Sequence, residues 1–271
     1  MAPWRHGDPL ALPSPPSPPS HPSHPALPLS SCSLLILTLR ILTRNCPRAC
    51  TQFGHLGATA IDAIDTLWIM GLKDEYKEAR AVVAKFKEKM LEATPLSTFE
   101  CTIRVLGGFL SVYYLTGDKL FLENARELGD RLLSAYNTTS GFPSGWISLQ
   151  TLNHHDAGWL GGRKVLSEFG TSQMEFYALS RETGDMKYAM AAARPLKRLH
   201  EMHKASPLLP TSFYDSGRFA IPPLFTLGSM ADSYYEYLLK CWVQAGNRRE
   251  EMVLNTGKEG RRDGKSWWWW W

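Results

Sequence analysis

The first periodic stretch of the chain covers residues 56–72, where apolar side chains recur three and four positions apart. That spacing places them on one face of an α-helix. Gly71 stands where it can end this helix, because glycine readily adopts the backbone conformation that follows a helix. Residues 74–90 form a second stretch, with charged side chains on its outward positions. The pattern predicts an apolar helix followed by an amphipathic one.

The same alternation returns as a weak internal repeat. Thr116-Gly117-Asp118 precedes a predicted helix over about residues 119–135, and Thr183-Gly184-Asp185 precedes another over about residues 186–203. The motifs start at residues 116 and 183, a period of 67 residues (183 − 116). A Gly-Asp pair supplies a helix stop and then an N-cap. Each unit is therefore an apolar inner helix, a turn and an amphipathic outer helix, and such units stack into a closed ring or a solenoid.

Two long segments lack helical periodicity. Residues 137–165 contain Gly, Pro, Trp and His without a regular pattern and are predicted to form a long loop. Residues 205–226 are predicted to form another loop, or a hairpin around Asp215-Ser216-Gly217. Long loops at one end of a helical ring are where a substrate site is expected.

Acidic residues stand among the apolar positions of three predicted inner helices. Their spacings of four or seven residues put the members of each pair on one helix face. Burying a carboxylate is costly unless it is paired or faces a polar cavity, so the simplest solution is one cavity lined by all three helices. The pairs are Glu100 with Arg104, Glu168 with Glu175, and Asp232 with Glu236.

Each of these features also has a structural interpretation. Glu100 and Arg104 fit an ordinary ion pair on a helix surface, although their apolar neighbours argue against an exposed face. Asp62 and Asp65 are expected to tie a helix to a loop, with lining the pocket as the alternative. His154, next to another histidine, is expected to be a loop residue, since no partner is spaced to complete a metal site. Three tyrosines between 234 and 237 are expected to pack rather than stack on a sugar.

Composition narrows the classes of partner. The 271 residues are 44% hydrophobic and 21% charged, which is ordinary for a globular protein. A net charge of +4 without a dense basic stripe disfavours nucleic acid as a partner. The five cysteines are scattered and odd in number, so they give no disulfide framework and leave the redox compartment open.

The two ends of the chain differ from its centre. Residues 1–50 include a Pro/Ser-rich tract and are expected to form a disordered leader. The apolar run over residues 34–42 is too short to span a bilayer, which takes about 20 residues, so no membrane anchor or clear targeting segment is evident. Residues 254–271 end in five tryptophans and are expected to be an irregular tail, foreign to the core.

Four longer motifs resemble one known family. Residues 57–72, 99–111, 168–176 and 225–240 are similar, in order, to motifs of the class I α-1,2-mannosidases, glycoside hydrolase family 47. The resemblance covers about residues 54–250, and the departures are mild, with a cysteine at positions 101 and 241. It implies an all-α fold, here a partial (αα)7 barrel of antiparallel inner and outer helix pairs. The N-terminal half of a catalytic domain would occupy residues 54–253.

The resemblance also implies an activity and residue roles. The family removes α-1,2-linked mannose from high-mannose N-glycans in the lumen of the endoplasmic reticulum and Golgi, inverts the anomeric configuration and needs calcium. By motif, Glu100 and Asp232 match catalytic carboxylates, and which is acid and which is base stays open. Arg104 matches a ligand of the sugar. Glu175 and Glu236 match further carboxylates of the pocket.

The resemblance implies an incomplete site. The family's domain is about twice as long, and its third catalytic glutamate and calcium-binding threonine fall outside this sequence. No metal ligand is therefore expected here, and the chain alone is expected to be inactive. The alternative is a lectin-like member that binds glycans in glycoprotein quality control, and a third interpretation is an α-helical scaffold. Asn137-Thr138-Thr139 matches a glycosylation sequon, which matters only in a secreted chain.

Overall fold

The computed structural model describes residues 53–54, 56–202 and 208–244. The predicted leader over residues 1–50, the apolar run within it and the tail over residues 254–271 lie outside these residues. Those three assignments, and the domain limits drawn from them, stay predictions.

The described helices form two layers. Inner helices lie side by side, and outer helices pack behind them as the return arms of antiparallel pairs. The inner layer contains α1 (Ala58–Ile69), α4 (Thr98–Glu100) continuing through a π-helical stretch (Cys101–Leu106) into α5 (Gly107–Thr116), the short α7 (Leu166–Phe169), α8 (Gln173–Thr183) and α10 (Asp232–Gln244). The outer layer contains α2 (Lys73–Val83), α3 (Phe86–Glu92), α6 (Lys119–Tyr136) and α9 (Lys187–Met202). The predicted pairing of inner with outer helices is confirmed.

The internal repeat is reproduced in the turns between the layers. Gly117 and Gly184 adopt left-handed conformations, with φ of 70° and 71°. Asp118 and Asp185 then accept the backbone N–H two residues further on, each at 3.1 Å. The threonine that opens each motif donates to a carbonyl in the preceding helix at 2.7 Å. Identical local chemistry thus reverses the chain from the inner to the outer layer twice.

Two hydrophobic clusters hold the layers together. The larger cluster lies between the inner and outer helices, where Phe86 meets Phe109 edge to face at 4.7 Å. The smaller cluster lies beneath the long loops and contains Phe142, Phe169 and Phe213. Because the loops bury aromatic side chains of their own, they form ordered structure at one end of the helical layers.

Short strands occupy the segment that was predicted to be a plain loop. Strands β1 (Leu96–Ser97), β2 (Trp146–Ile147) and β3 (His154–His155) form an antiparallel sheet in that order. Strand β4 (Arg163–Val165) pairs with β5 (Ser212–Tyr214), also antiparallel. Residues 137–165 are largely loop, as predicted, but the short strands within them were not predicted, because strands of two or three residues are too short to show an alternating pattern.

The second loop contains the hairpin predicted around Asp215-Ser216-Gly217. Gly217 has φ of 83°, and its N–H donates to the Tyr214 carbonyl at 2.7 Å. The Tyr214 N–H donates in turn to the Arg218 carbonyl at 2.9 Å. A glycine in the left-handed region is what such a tight turn requires.

The edge helices leave apolar side chains uncovered, as a partial barrel requires. Ile69 at the end of α1 is 70% exposed, while Leu239 and Val243 on α10 are 59% and 54% exposed. Tyr234 is the one buried residue of α10. These flanks are where further helices would pack in a longer barrel.

Candidate active site

Glu100 lies where the second inner helix begins, at the end of the layers that carries the loops. The hydroxyl of Ser97 accepts the Glu100 N–H at 3.3 Å and so caps the helix. Thr98 ties this start to the long loop, since its N–H reaches the Gly145 carbonyl and its hydroxyl the Ser144 carbonyl, both at 2.8 Å. The Glu100 side chain is one-third exposed (33%) and therefore reaches solvent at the mouth of the site.

A π-helical stretch over Cys101–Leu106 follows Glu100 directly. Arg104 lies in it and binds Glu100 through Nε–Oε2 at 2.6 Å. Its Nη1 lies 3.7 Å from Oδ2 of Asp62, and its guanidinium stands 5.8 Å from the ring centre of Phe53. Arg104 is 43% exposed, so the pair lies at the rim and is not sealed in the core. Widened turns of this kind are frequent at functional sites, and nothing in the hydrophobic pattern indicated one.

The glycine pair after this stretch brings two other inner helices close. A side chain at Gly108 would place its Cβ 3.0 Å from the Ile61 carbonyl oxygen on α1. A Cβ at Gly107 would lie 3.6 Å from Cγ of Glu175 on α8. Gly108 therefore sets the close spacing between the helix that carries Glu100 and α1, whereas a side chain at Gly107 would make only ordinary contact with α8.

Glu168 was expected to line the common cavity, but the family resemblance gave it no role. It lines a small cleft with Thr98, Gly145, Asp156 and Lys164. Burial raises the pKa of its carboxyl, the nearby charges of Asp156 and Glu100 raise it further, and Lys164 lowers it. The two glutamates are neighbours because the short helices α4 and α7, which carry them, are in contact. Glu168 and Glu175 belong to the same sequence motif. The motif alone did not indicate which of the two carboxyls borders the cleft.

Lys164 is a buried cation that ties the walls of this cleft together. Its side chain is 4% exposed, and Nζ binds both carboxylate oxygens of Asp156 at 2.7 and 2.9 Å. Nζ also donates to the Pro143 carbonyl at 3.1 Å and lies 3.4 Å from Oδ1 of Asp215 in the hairpin. Asp156 accepts the Gly145 N–H at 3.0 Å as well. One ammonium therefore joins three loop segments around Glu168.

Glu168 and Glu175 do not share a helix, which corrects the expectation drawn from their spacing. Helix α7 ends at Phe169 and α8 begins at Gln173. A Cβ at Gly170 would lie 2.5 Å from Tyr234 and 2.7 Å from a backbone carbonyl, so the chain bends where α10 packs against it. Because the chain bends between α7 and α8, the carboxylates of Glu168 and Glu175 lie in different surroundings.

Glu175 lies at the interface of α8 and α10. Tyr237 donates its hydroxyl to Oε1 at 2.8 Å, and Oε2 is buried with no hydrogen-bond partner among the described residues. Burial raises the pKa of Glu175 to about 7, against the smaller lowering effects of Tyr237 and Lys240. Glu175 is therefore a buried carboxyl between two inner helices.

Asp232 and Glu236 lie on the exposed side of α10. Asp232 is the first residue of that helix and accepts the Ser233 N–H at 3.0 Å. Glu236 binds Lys240 one turn later at 3.3 Å. Of the five predicted site residues, the structure joins Glu100 to Arg104 and connects Glu175 to α10 through Tyr237. The Asp232 side chain, in contrast, accepts its hydrogen bond from the next residue of its own helix.

The structural interpretations have mixed outcomes. Asp65 ties two inner helices, since Oδ2 accepts the Ser111 hydroxyl at 2.8 Å, so the tie runs between helices and not from a helix to a loop. Tyr234 and Tyr235 pack in the smaller hydrophobic cluster, as predicted. His154 lies in strand β3 and not in a loop as predicted, and its Nδ1 lies 2.8 Å from the Ser144 hydroxyl.

The site residues do not form a metal centre. Within residues 53–54, 56–202 and 208–244, no group of three or more His, Cys, Asp or Glu side chains is arranged to hold a metal ion. Over the same residues, none of the helices combines the length and apolar character needed to cross a bilayer.

Comparisons with known proteins extend these observations. The sequence model of Glycosyl hydrolase family 47 matches residues 39–256. A mannosyl-oligosaccharide 1,2-alpha-mannosidase of Arabidopsis thaliana is 46% identical over 200 residues, covering 73% of this chain and 35% of that protein. The endoplasmic reticulum mannosyl-oligosaccharide 1,2-alpha-mannosidase of Homo sapiens is 40% identical over 208 residues, covering 76% of this chain and 30% of that protein.

A solved structure shows the same fold. The alpha-1,2-mannosidase from Trichoderma reesei superposes with a TM-score of 0.63 at 22% identity, over 79% of this chain and 50% of that one. The chain spans about a third of the length of the curated relatives, with shares of 35%, 31% and 30%.

Proposed function

This chain belongs to glycosyl hydrolase family 47, and from that premise we propose that it supplies part of the active site of an inverting α-1,2-mannosidase. The substrate is terminal α-1,2-linked mannose on high-mannose N-glycans, the class that the names of its relatives indicate. Related proteins named for the endoplasmic reticulum support a place in the lumen of the secretory pathway, in that organelle or the Golgi.

One observation carries the proposal. Glu100, held by Arg104 at 2.6 Å, neighbours the half-buried Glu168 at the loop end of the inner helices. Burial and the like charges of Asp156 and Glu100 raise the pKa of Glu168, so the acids at this end of the helices have different electrostatic surroundings. Glycoside hydrolysis needs carboxyl groups in different protonation states on the two sides of a sugar ring.

The proposed chemistry follows from that requirement. One carboxyl donates a proton to the glycosidic oxygen, and another takes a proton from a water on the opposite face of the sugar. The water oxygen forms the new bond to C1 as the old C1–O bond breaks, so the configuration inverts. Glu100 and Asp232 are the proposed pair, in an order left open. Arg104 and Glu168 are proposed to bind sugar hydroxyls, with Glu175 and Glu236 as outer carboxylates of the pocket.

Calcium enters this proposal through the family resemblance alone. By that resemblance the threonine that holds the ion falls outside this sequence, while Glu100 and Asp232 are proposed to move the protons. The measurable expectation is that a chelator abolishes mannose release in a longer chain that contains the rest of the barrel.

The test replaces Glu100 in a chain extended with the remaining barrel of the Arabidopsis thaliana relative. Glu100→Gln keeps the side-chain volume but cannot exchange a proton, so we expect mannose release to fall by about 10²–10⁴-fold. Free mannose from a high-mannose glycan is measured, with Glu75→Gln as the control on the outer helix α2. Residues 1–271 alone are expected to release none.

Two results would contradict the proposal in different ways. Full activity of the extended Glu100→Gln chain would remove Glu100 from the chemistry. Tight glycan binding without release by the unsubstituted extended chain would favour the lectin-like alternative, in which the same pocket recognises glycans for quality control.

A further inference from the structure

The turn after helix α6 contains a glycosylation sequon, Asn137-Thr138-Thr139. An acceptor asparagine needs Ser or Thr two positions on, with any residue but proline between. The other asparagines of the sequence lack that hydroxyl residue: Asn45, Asn124, Asn153, Asn247 and Asn255. Any N-linked glycan on this chain would therefore be attached at Asn137.

The backbone presents Asn137 at the tip of a tight turn. Its φ and ψ are −82° and 68°, and the Thr138 N–H donates to the Tyr136 carbonyl at 2.9 Å. These values define an inverse γ-turn centred on Asn137. The residue is exposed, directly after the last residue of α6.

Neighbouring groups fix this turn without using the Asn137 carboxamide. Arg194 donates from Nη2 to the Thr138 carbonyl at 2.9 Å and from Nη1 to the Tyr136 carbonyl at 3.5 Å. The Thr138 hydroxyl donates to the Phe142 carbonyl at 2.7 Å. Among the described residues, the Asn137 side chain makes no hydrogen bond, so a substituent on its nitrogen would break none of these contacts.

We propose that Asn137 is the acceptor of an N-linked oligosaccharide. The inference rests on the lumenal location in the proposed function. The donor is a lipid-linked pyrophosphoryl oligosaccharide. Nδ2 forms a bond to C1 of the first sugar and loses one proton, the C1–O bond to the pyrophosphate breaks, and the lipid pyrophosphate leaves with that electron pair. The carboxamide remains an amide, so no oxidant or reductant takes part.

The turn lies at the same end of the molecule as the candidate active site. Ala135 accepts the Ser144 N–H at 2.9 Å, and the Ser144 carbonyl accepts the Thr98 hydroxyl two residues before Glu100. Outer helices end where inner helices begin, because each pair is antiparallel. The attached glycan would therefore stand at the outer rim of the loop end, in solvent.

The experiment translates the full chain behind a cleavable signal sequence in the presence of microsomes. We expect one step of reduced gel mobility. An amidase that cleaves the bond between the glycan and the asparagine should remove that step and convert Asn137 to aspartate. Asn137→Gln and Thr139→Ala should abolish the step, whereas Thr139→Ser should keep it because the hydroxyl is retained. The melting temperature of Asn137→Gln should match that of the parent, since its side chain has no partner to lose.

An unmodified parent chain, in microsomes that glycosylate a reference protein, would overturn the inference. A mobility step that persists in Asn137→Gln would also overturn it. The outcome is separable from the mannosidase proposal: a modified chain whose extended form releases no mannose removes the activity and leaves the acceptor, and an unmodified chain with an active extended form does the reverse.

Discussion

Glu168 and Glu175 are seven residues apart, yet their carboxyl groups are stabilised in different ways. Glu168 borders an open cleft among loops, beside two other acids and the buried ammonium of Lys164. Glu175 lies between two helices, where a neutral hydroxyl is its side-chain donor. Burial raises the pKa of both carboxyls, and the compensating groups differ.

The difference shows how one residue type can serve two purposes. A carboxyl beside a cation and solvent can gain or lose a proton and contact a ligand, which suits chemistry at the cleft. A carboxyl between two helices beside a tyrosine hydroxyl favours its neutral form, so its protonation contributes to the free energy of unfolding in addition to its proposed place in the pocket. The first two predictions below test this distinction and the third tests the spacing of the inner helices, beginning with the largest expected effect.

Replacing the cation of the cleft should have the largest effect. Lys164→Met keeps much of the side-chain length but removes the donor of the Pro143 carbonyl and leaves Asp156 with the Gly145 N–H and without its cation. Breaking a buried ion pair costs about 3–5 kcal/mol, and the lower end applies because Asp156 is 25% exposed. Urea unfolding measures the loss.

Lys77→Met is the matched control, because Lys77 and Asp74 form an ion pair with both side chains mostly exposed. It should change the free energy of unfolding by about 0–1 kcal/mol. Equal losses in the free energy of unfolding of the two variants would show that Lys164 does not hold the cleft together. The cleft would then not differ in this respect from the interface of α8 and α10 around Glu175.

The pH dependence of stability should identify Glu175. Its pKa is raised to about 7 in the folded chain from a reference of 4.5, so between these values the folded state binds more protons than the unfolded state. Stability should therefore fall as pH rises from about 4.5 to 7 and level off above that, by an amount on the order of 3 kcal/mol. Glu175→Gln should remove this contribution.

The measurement compares urea unfolding at pH 5 and pH 8 for the parent, Glu175→Gln and the exposed Glu236→Gln. The Glu236 variant should keep the parental slope. If Glu175→Gln keeps it too, the carboxyl is solvated in solution and the interface is no different from the cleft.

The smallest effect is expected at Gly108, which sets the distance between inner helices. Alanine usually stabilises a helix by about 1 kcal/mol relative to glycine. Here the new Cβ would lie 3.0 Å from the Ile61 carbonyl oxygen, so we expect a loss of about 1–2 kcal/mol instead. Thermal unfolding of Gly108→Ala measures it, with Gly158→Ala as the control because a Cβ there meets nothing within 4 Å. An increase in the stability of Gly108→Ala would mean that α1 can move away from α5 to accommodate the added methyl group.

Much of the fold could be predicted from repeated local chemistry. The Thr-Gly-Asp motifs gave both turns, and the apolar spacing gave the inner helices, since a helix of ten or more residues shows its period clearly. The strands around Trp146 and His154 could not be predicted, because each has two residues and is too short to show an alternating pattern. The π-helical stretch after Glu100 was missed for a related reason: its hydrogen bonds leave no mark on the pattern of apolar residues.

The candidate site divides in the same way. The sequence by itself determined which residue types are available, with Glu100 and Arg104 one turn apart and the glycines that let helices approach. Only the tertiary structure decided which carboxyl borders the cleft and which is enclosed. Gly170 lies against Tyr234, a residue 64 positions later (234 − 170), and the bend there separates Glu168 from Glu175. The protonation of a carboxyl depends on the charges and solvent that distant segments bring to it, and spacing along one helix does not contain that information.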